Sequence, residues 1–307
     1  MKITLWELPN EEDIIAMRKD LGMSEASLRQ DVQILKHWLR QQPHLPDDID
    51  ETRLERLLFY CKNSLERSKQ KLEQYFSLKS AAPEVFLNRD ATDPLLYEQN
   101  KIVFNNPLPR LTEDNNRVCL LKVVDPSRLK ELDVEAWMKR TFMCYDLRMT
   151  YEHSANDLYL DDLENCDASF LKYVTPTLLS KIVSYGNMAY PYRIKQVVIY
   201  KPPKVLEAFI NICKTLVNKK LASRVVTVSN NEELHKYISK SCLPKEYGGD
   251  EERSLDEIRD AIDKELMKNK AWFDAEEKNK SDESKRIGNS SSTVAEMTGS
   301  FRKIAFD

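Results

Sequence analysis

The side chains best able to do chemistry are spaced in ways that exclude most of it. The four histidines, His37, His44, His153 and His235, show no metal-ligand spacing. No glycine-rich phosphate loop and no nucleophile elbow occur, in a chain with only 6 glycines. Asp161 and Asp162 form an adjacent acidic pair at the end of an expected strand, where neighbouring side chains point to opposite faces. A paired-carboxylate acid/base site is therefore not expected. The six cysteines, Cys61, Cys119, Cys144, Cys166, Cys213 and Cys242, form no CxxC pair and read as reduced thiols. No catalytic residue, metal or cofactor is expected, and the chain reads as a non-enzyme.

Two other constellations point to binding. Residues 204–221 follow Pro202 and Pro203, which favour a helix entry. At helical spacing, Lys204, Glu207, Asn211, Lys214, Thr215 and Asn218 share one narrow polar side. Leu206, Phe209, Ile212, Cys213 and Leu216, with their apolar neighbours, cover the rest. That apolar arc spans roughly 220°, about twice what a surface helix presents to its core. Either the helix is deeply buried, or it is a lid over an apolar cavity that can also meet a membrane. Periodicity does not separate the two. The second constellation is basic: Arg193 and Lys195 are two apart, Lys220 and Arg224 four apart. They can converge on a phosphate-bearing headgroup, or each can be an ordinary solvated charge.

The elements that must position these residues follow from patterning. Residues 11–41 read as two helices broken at Gly22, with Asn10 as N-cap. A third helical stretch runs from Leu54 to Phe76. Pro83, Pro94, Pro107 and Pro109 mark an irregular link. Strands are expected at 118–124, 158–160, 196–200 and 224–228, alternating with helices at 133–150, 168–185 and 204–221. This implies an α/β fold with a mainly parallel sheet covered by helices. The expected divisions are 1–95 (helical), 96–250 (sheet domain) and 251–307 (helix and tail). Residues 274–295 are expected to be mobile from their charged composition, and residues 299–307 to dock back onto the body.

With 47 Lys and Arg against 50 Asp and Glu, the net charge of −3 gives no whole-molecule attraction to nucleic acid. No stretch approaches about 18 consecutive apolar residues, and the first residues lack the apolar core of a secretory signal. A cytoplasmic protein, peripheral at membranes, is expected.

Several spaced motifs carry a resemblance. Ala189-Tyr190-Pro191-Tyr192-Arg193-Ile194-Lys195, then Pro203 and the apolar helix, then Leu243-Pro244-Lys245-Glu246-Tyr247-Gly248-Gly249 resemble the CRAL-TRIO lipid-binding family. Gln42-Pro43-His44-Leu45-Pro46, Cys61-Lys62, Ser64-Leu65-Glu66 and Pro83-Glu84 are similar to its N-terminal part, and Gly299-Ser300-Phe301-Arg302-Lys303 to the tail of its tocopherol-carrier-like members. The resemblance implies a helical N-terminal domain, then a domain enclosing one lipophilic ligand under a mobile gate helix, here 204–221. It implies a monomeric carrier with a lipophilic small molecule and a phosphoinositide-containing membrane as partners. The alternative is a regulatory phosphoinositide-binding module without cargo. Pocket positions carry over as Ile182, Tyr185, Ile194, Val197, Leu206, Phe209, Ile212, Cys213 and Leu216, with Thr141 and Tyr145 where the tocopherol carrier places small hydroxyl side chains. The phosphoinositide positions carry over as Arg193, Lys195, Lys220 and Arg224. There are departures. Asn165 stands where the family has glycine, and Leu58-Phe59-Tyr60-Cys61 lacks the usual arginine. Lys214-Thr215-Leu216-Val217 lacks the gate proline, which predicts a straighter gate. Tyr145 and Tyr185 are bulkier than the tocopherol carrier's counterparts, which argues against tocopherol itself.

Overall fold

The computed structural model describes residues 5–287. Helix α1 (Glu11–Asp20) opens on Asn10, whose side chain accepts from the Asp13 amide at 2.8 Å. Beyond its C-cap Leu21 lies Gly22, at φ +68°, a left-handed position that glycine takes at little cost. Helix α2 (Glu25–Arg40) buries Leu28, Val32, Leu35 and Leu39 along one stripe. The single stretch expected from Leu54 to Phe76 is two helices, α3 (Glu51–Tyr60) and α4 (Leu65–Ala81). Lys62 and Asn63 both sit at positive φ between them, and the Ser64 hydroxyl accepts from the Arg67 amide to start α4. Short α5 (Pro83–Phe86) and α6 (Pro94–Ile102) complete this unit.

Strand β1 (Val103–Leu111) runs through the segment expected to be an irregular link. It hid behind Pro107 and Pro109. A proline lacks the donor a central strand needs, but an edge strand tolerates it, and β1 is the sheet edge, with its register slipping between Pro107 and Leu111. Then follow β2 (Arg117–Val123), α7 (Val134–Tyr151), β3 (Asp157–Asp162), α8 (Phe170–Tyr173), α9 (Pro176–Ala189), β4 (Ile194–Tyr200), α10 (Glu207–Thr215), α11 (Lys219–Ala222) and β5 (Val225–Val228). The sheet order is β1-β2-β3-β4-β5, antiparallel at the first pair and parallel at the other three. This is the mixed, mainly parallel α/β sheet that the alternating pattern predicts. The helix expected at 168–185 is divided because Thr175, before Pro176, is held extended (φ −87°, ψ 157°).

The two sheet faces feed two cores. Val118, Leu120, Leu158, Leu160, Val198 and Tyr200 pack on α13 (Leu255–Lys268), which follows the short α12 (Asn231–Leu234). The opposite face joins the N-terminal helices and α9 in one apolar cluster running from Met23 to Ile210. Beyond α14 (Lys270–Glu276), part of the segment expected to be mobile lies against α4. The Ser281 amide donates to the Phe76 carbonyl at 3.1 Å, and Arg286 pairs with Glu73. The expected docking of 299–307 lies outside the described residues.

Candidate functional site

Between the second sheet face and α7, α9 and α10 lies a cavity of about 340 Å³, within the range of small-molecule sites. Its floor follows from the two-residue period of strands. Leu121, Asp161 and Ile199 stand in register across β2, β3 and β4, and Tyr159, Val197 and Val225 form a rung across β3, β4 and β5. Met138, Thr141, Phe142 and Tyr145 make one wall, at the i, i+3, i+4, i+7 spacing of a single helix face. Leu178, Leu179, Ile182 and Gly186 of α9 make another. Phe209, Ile210 and Cys213 of α10 close a third side, with the Phe209 ring edge-on to Phe170 at 6.0 Å.

Of the ligand positions taken from the sequence, Thr141, Tyr145, Ile182, Ile194, Val197, Phe209 and Cys213 line this cavity. Tyr185, Leu206, Ile212 and Leu216 are not among its lining. Tyr185 packs on Phe86, Leu206 is buried in the core, and Ile212 is 49% exposed. The segment 204–221 is neither a continuous helix nor a buried one. A 3-10 turn (Lys204–Leu206) precedes α10, which ends at Thr215. Asn218 then turns extended and its side chain accepts from the Leu221 amide at 2.8 Å, starting α11 afresh. That cap, with the Thr215 hydroxyl bonded back to the Ile212 carbonyl, breaks the helix where a straighter gate was expected. Val205 and Ile212 face outward, so the wide apolar arc is divided between cavity and surface.

Sequence reasoning missed the contributions of β1 and β2, such as Val103 and Leu121, and of Trp137, Tyr159 and Asp161. For Asp161 a signal existed: it alternates with Tyr159 and Leu163. The polar groups of the cavity are mostly satisfied within the protein. Thr141 donates to the Trp137 carbonyl at 2.9 Å and accepts from Asn105 at 3.5 Å. The Tyr145 and Tyr159 hydroxyls meet at 3.3 Å, and burial pushes both phenols well above their usual range. Asp161 differs: among the described residues no hydrogen bond or ion pair reaches its carboxyl group, and desolvation pushes that carboxyl up to about 7. Its neighbour Asp162 points the other way, accepting from Lys122 and from the Tyr247 hydroxyl, each at 2.7 Å.

That second bond explains the Leu243–Gly249 motif as scaffold. Gly248 takes φ +69° and a Cβ at Gly249 would lie 1.9 Å from the Leu243 carbonyl oxygen. Both positions therefore demand glycine, and the turn they allow seats Tyr247 on β3.

Arg193 and Lys195 stand at the start of β4, Lys220 lies on α11, and Arg224 directly precedes β5. The Val197 amide donates to the Arg224 carbonyl, and Lys220 lies one turn before Arg224. They are not equivalent. The Arg193 guanidinium lies 5.1 Å from the Phe59 ring centroid, and burial lowers its pKa. Arg224 donates to the Ile194 carbonyl. Lys195 is exposed beside Asp114 at 3.3 Å, and Lys220 is exposed.

Residues 108–249 match the family model of the CRAL/TRIO domain, and residues 24–96 that of the Pinta-like UBA domain. "Alpha-tocopherol transfer protein-like" of Homo sapiens is 25% identical over 245 residues, spanning 78% of this chain and 70% of the relative. "Clavesin-1" of Xenopus laevis is 24% identical over 246 residues, spanning 78% and 73%. Among solved structures, the "Crystal structure of Sfh5" has a TM-score of 0.44 at 13% identity, covering 83% of this chain and 91% of that one.

Proposed function

We propose, for a chain that belongs to the CRAL/TRIO family, that it is a non-enzymatic carrier that takes one lipophilic molecule into the cavity and passes it to or from membranes. The observation that carries this reading is the apolar cavity itself, floored by the sheet and covered by α10. Each buried CH₂ of a ligand contributes about 0.8 kcal/mol on leaving water, so a cargo with a long apolar body is held without any covalent step. Movement of α10, which is short and ends at the Thr215 break, opens the way. Among the described residues no helix is long and apolar enough to cross a membrane. Exchange takes place at the bilayer surface, where the outward Val205 and Ile212 enter the lipid and the basic residues meet phosphorylated headgroups. Lys195 and Lys220, exposed and uncommitted to the core, are the stronger candidates for that contact.

The test is organic extraction of the purified protein, with mass spectrometry of the released lipid, followed by transfer of a fluorescent lipophile to vesicles. One lipid molecule per chain is expected, and transfer is expected to quicken with phosphoinositide in the vesicle. Lys195→Ala/Lys220→Ala should lose that acceleration at low salt, where surface charges act most strongly. A protein that retains no lipophile yet binds phosphoinositide vesicles is a regulatory module instead.

A further inference from the structure

We propose that Asp161 anchors a hydroxyl group of the cargo, so that the cavity selects lipophilic alcohols over ethers and hydrocarbons of the same shape. This inference rests on the carrier reading above.

Asp161 sits in the middle of the cavity floor. Its strand partners are Leu121 on β2 and Ile199 on β4, both in the lining. Tyr159 and Leu163, two residues away on either side, share its face. Asp161 is half-buried and lines the cavity, so its carboxyl can be met only by what occupies that space, and a polar group closed off from water there without a partner is costly. The chain supplies none among the described residues. The Tyr145 and Tyr159 hydroxyls are joined to each other, and Thr141 is bonded to its own helix. Lys122, the nearby cation on β2, is committed to Asp162 on the opposite face. An acidic side chain placed on a cavity floor and left unpartnered by the protein is completed by what enters the cavity.

The chemistry of the partner follows from what the carboxyl group accepts. Burial alone brings Asp161 to about 7, so near neutrality it exists in both forms. An ionised carboxylate only accepts hydrogen bonds, whereas the neutral acid also donates. An ether or ester cargo only accepts, and so serves one form alone. A hydrocarbon serves neither. A carboxylic acid cargo would repel the ionised form. An amine cargo would bring a cation to a cavity wall that already holds Lys214. A hydroxyl both donates and accepts, and bonds to Asp161 in either protonation state. Its remaining apolar body then meets the aliphatic and aromatic lining.

The experiment uses the full chain, stripped of lipid, and two fluorescent polyene probes of identical body, an alcohol and its methyl ether. At about pH 8.5, where the ionised form that an ether cannot serve predominates, wild type is expected to bind the alcohol at least about tenfold more tightly than the ether, the scale of one hydrogen bond to a charged group. Asp161→Leu should keep the ether affinity and bind the two probes equally. Asp161→Asn, of the same size and still an acceptor, should show a preference reduced severalfold. Equal binding of both probes by wild type overturns the anchor while leaving the carrier intact. So does a preference that survives unchanged in the variants. Folded wild-type protein that binds neither probe overturns the carrier reading, and the anchor with it.

Discussion

Asp161 and Asp162 are chain neighbours with opposite surroundings. Asp162 is held by Lys122 and Tyr247. Asp161 has burial alone, which raises its carboxyl from 3.8 to about 7. In the unfolded chain it ionises near pH 4; in the folded, ligand-free protein it stays protonated until near pH 7. The native state therefore holds the extra proton between these values, and stability falls as pH rises through the window. Above it the full cost remains, at most a few kcal/mol. The Tyr145 and Tyr159 phenols stay neutral across the window, since burial raises both. Asp161→Leu should thus melt like wild type at pH 4 and progressively higher than wild type from pH 5 to 8, without ligand. Equal melting temperatures at pH 8 would contradict an unpartnered carboxyl facing an apolar cavity. At this scale the sequence was half legible. The strand period assigns the two aspartates to opposite faces, but no single strand states which face meets a cavity, since that depends on α7, α9 and α10, helices spread from residue 134 to residue 215.

At the scale of elements, α10 shows why spacing alone left two readings of its segment. The arc of apolar residues is real, but three of its members, Val205, Ala208 and Ile212, are spent on solvent. Phe209 and Cys213 line the cavity, whereas Ile212 is 49% exposed. A charge at each position separates retention from delivery. Phe209→Asp places an uncompensated carboxylate against Phe170 and should abolish retention of a hydrophobic probe. Ile212→Asp should leave retention unchanged and slow transfer to vesicles severalfold, because the outward side chain meets the bilayer. Fluorescence of bound probe and a vesicle transfer assay read the two effects. If Ile212→Asp also empties the cavity, the outward face belongs to the pocket after all. The break after Thr215 was visible in the letters, since Asn218 is a favoured N-cap residue. The unbroken run of apolar spacing around it concealed the signal. Strand β1 was hidden for a different reason: its prolines are compatible with a strand only because it forms the sheet edge, and edge position is a property of the assembled sheet.

For the whole molecule, the question is whether the N-terminal helices and the sheet domain unfold as one body. Asp146 of α7 lies at the junction. It accepts from the Tyr75 hydroxyl of α4 at 3.0 Å and the Tyr190 hydroxyl at 3.1 Å, and it pairs with Arg89. Arg53 of α3 stands 3.9 Å away and joins Glu276 at the end of α14 at 2.8 Å. Burial alone would raise the Asp146 carboxyl, but Arg89 and Arg53 hold it below its usual value. One buried carboxylate therefore ties together the N-terminal helices, the segment before β4 and the C-terminal helix, across an apolar cluster that both parts share. Removing it leaves Arg89 buried without its partner. The cost of breaking such a pair from one side is about 3–5 kcal/mol, a large share of the 5–15 kcal/mol that a folded protein has in total. In calorimetry, wild type should melt in one transition, and Asp146→Ala should melt in one transition at a markedly lower temperature. Arg89→Met combined with Asp146→Ala should recover part of the loss, because the guanidinium that Asp146→Ala strands is then gone. Two separate transitions in wild type would mean that the N-terminal helices fold independently and that the Asp146 cluster is a surface of contact between two bodies. A single transition with partial recovery in the double variant identifies the cluster as the bond through which the helical unit holds the cavity wall, α7, in place.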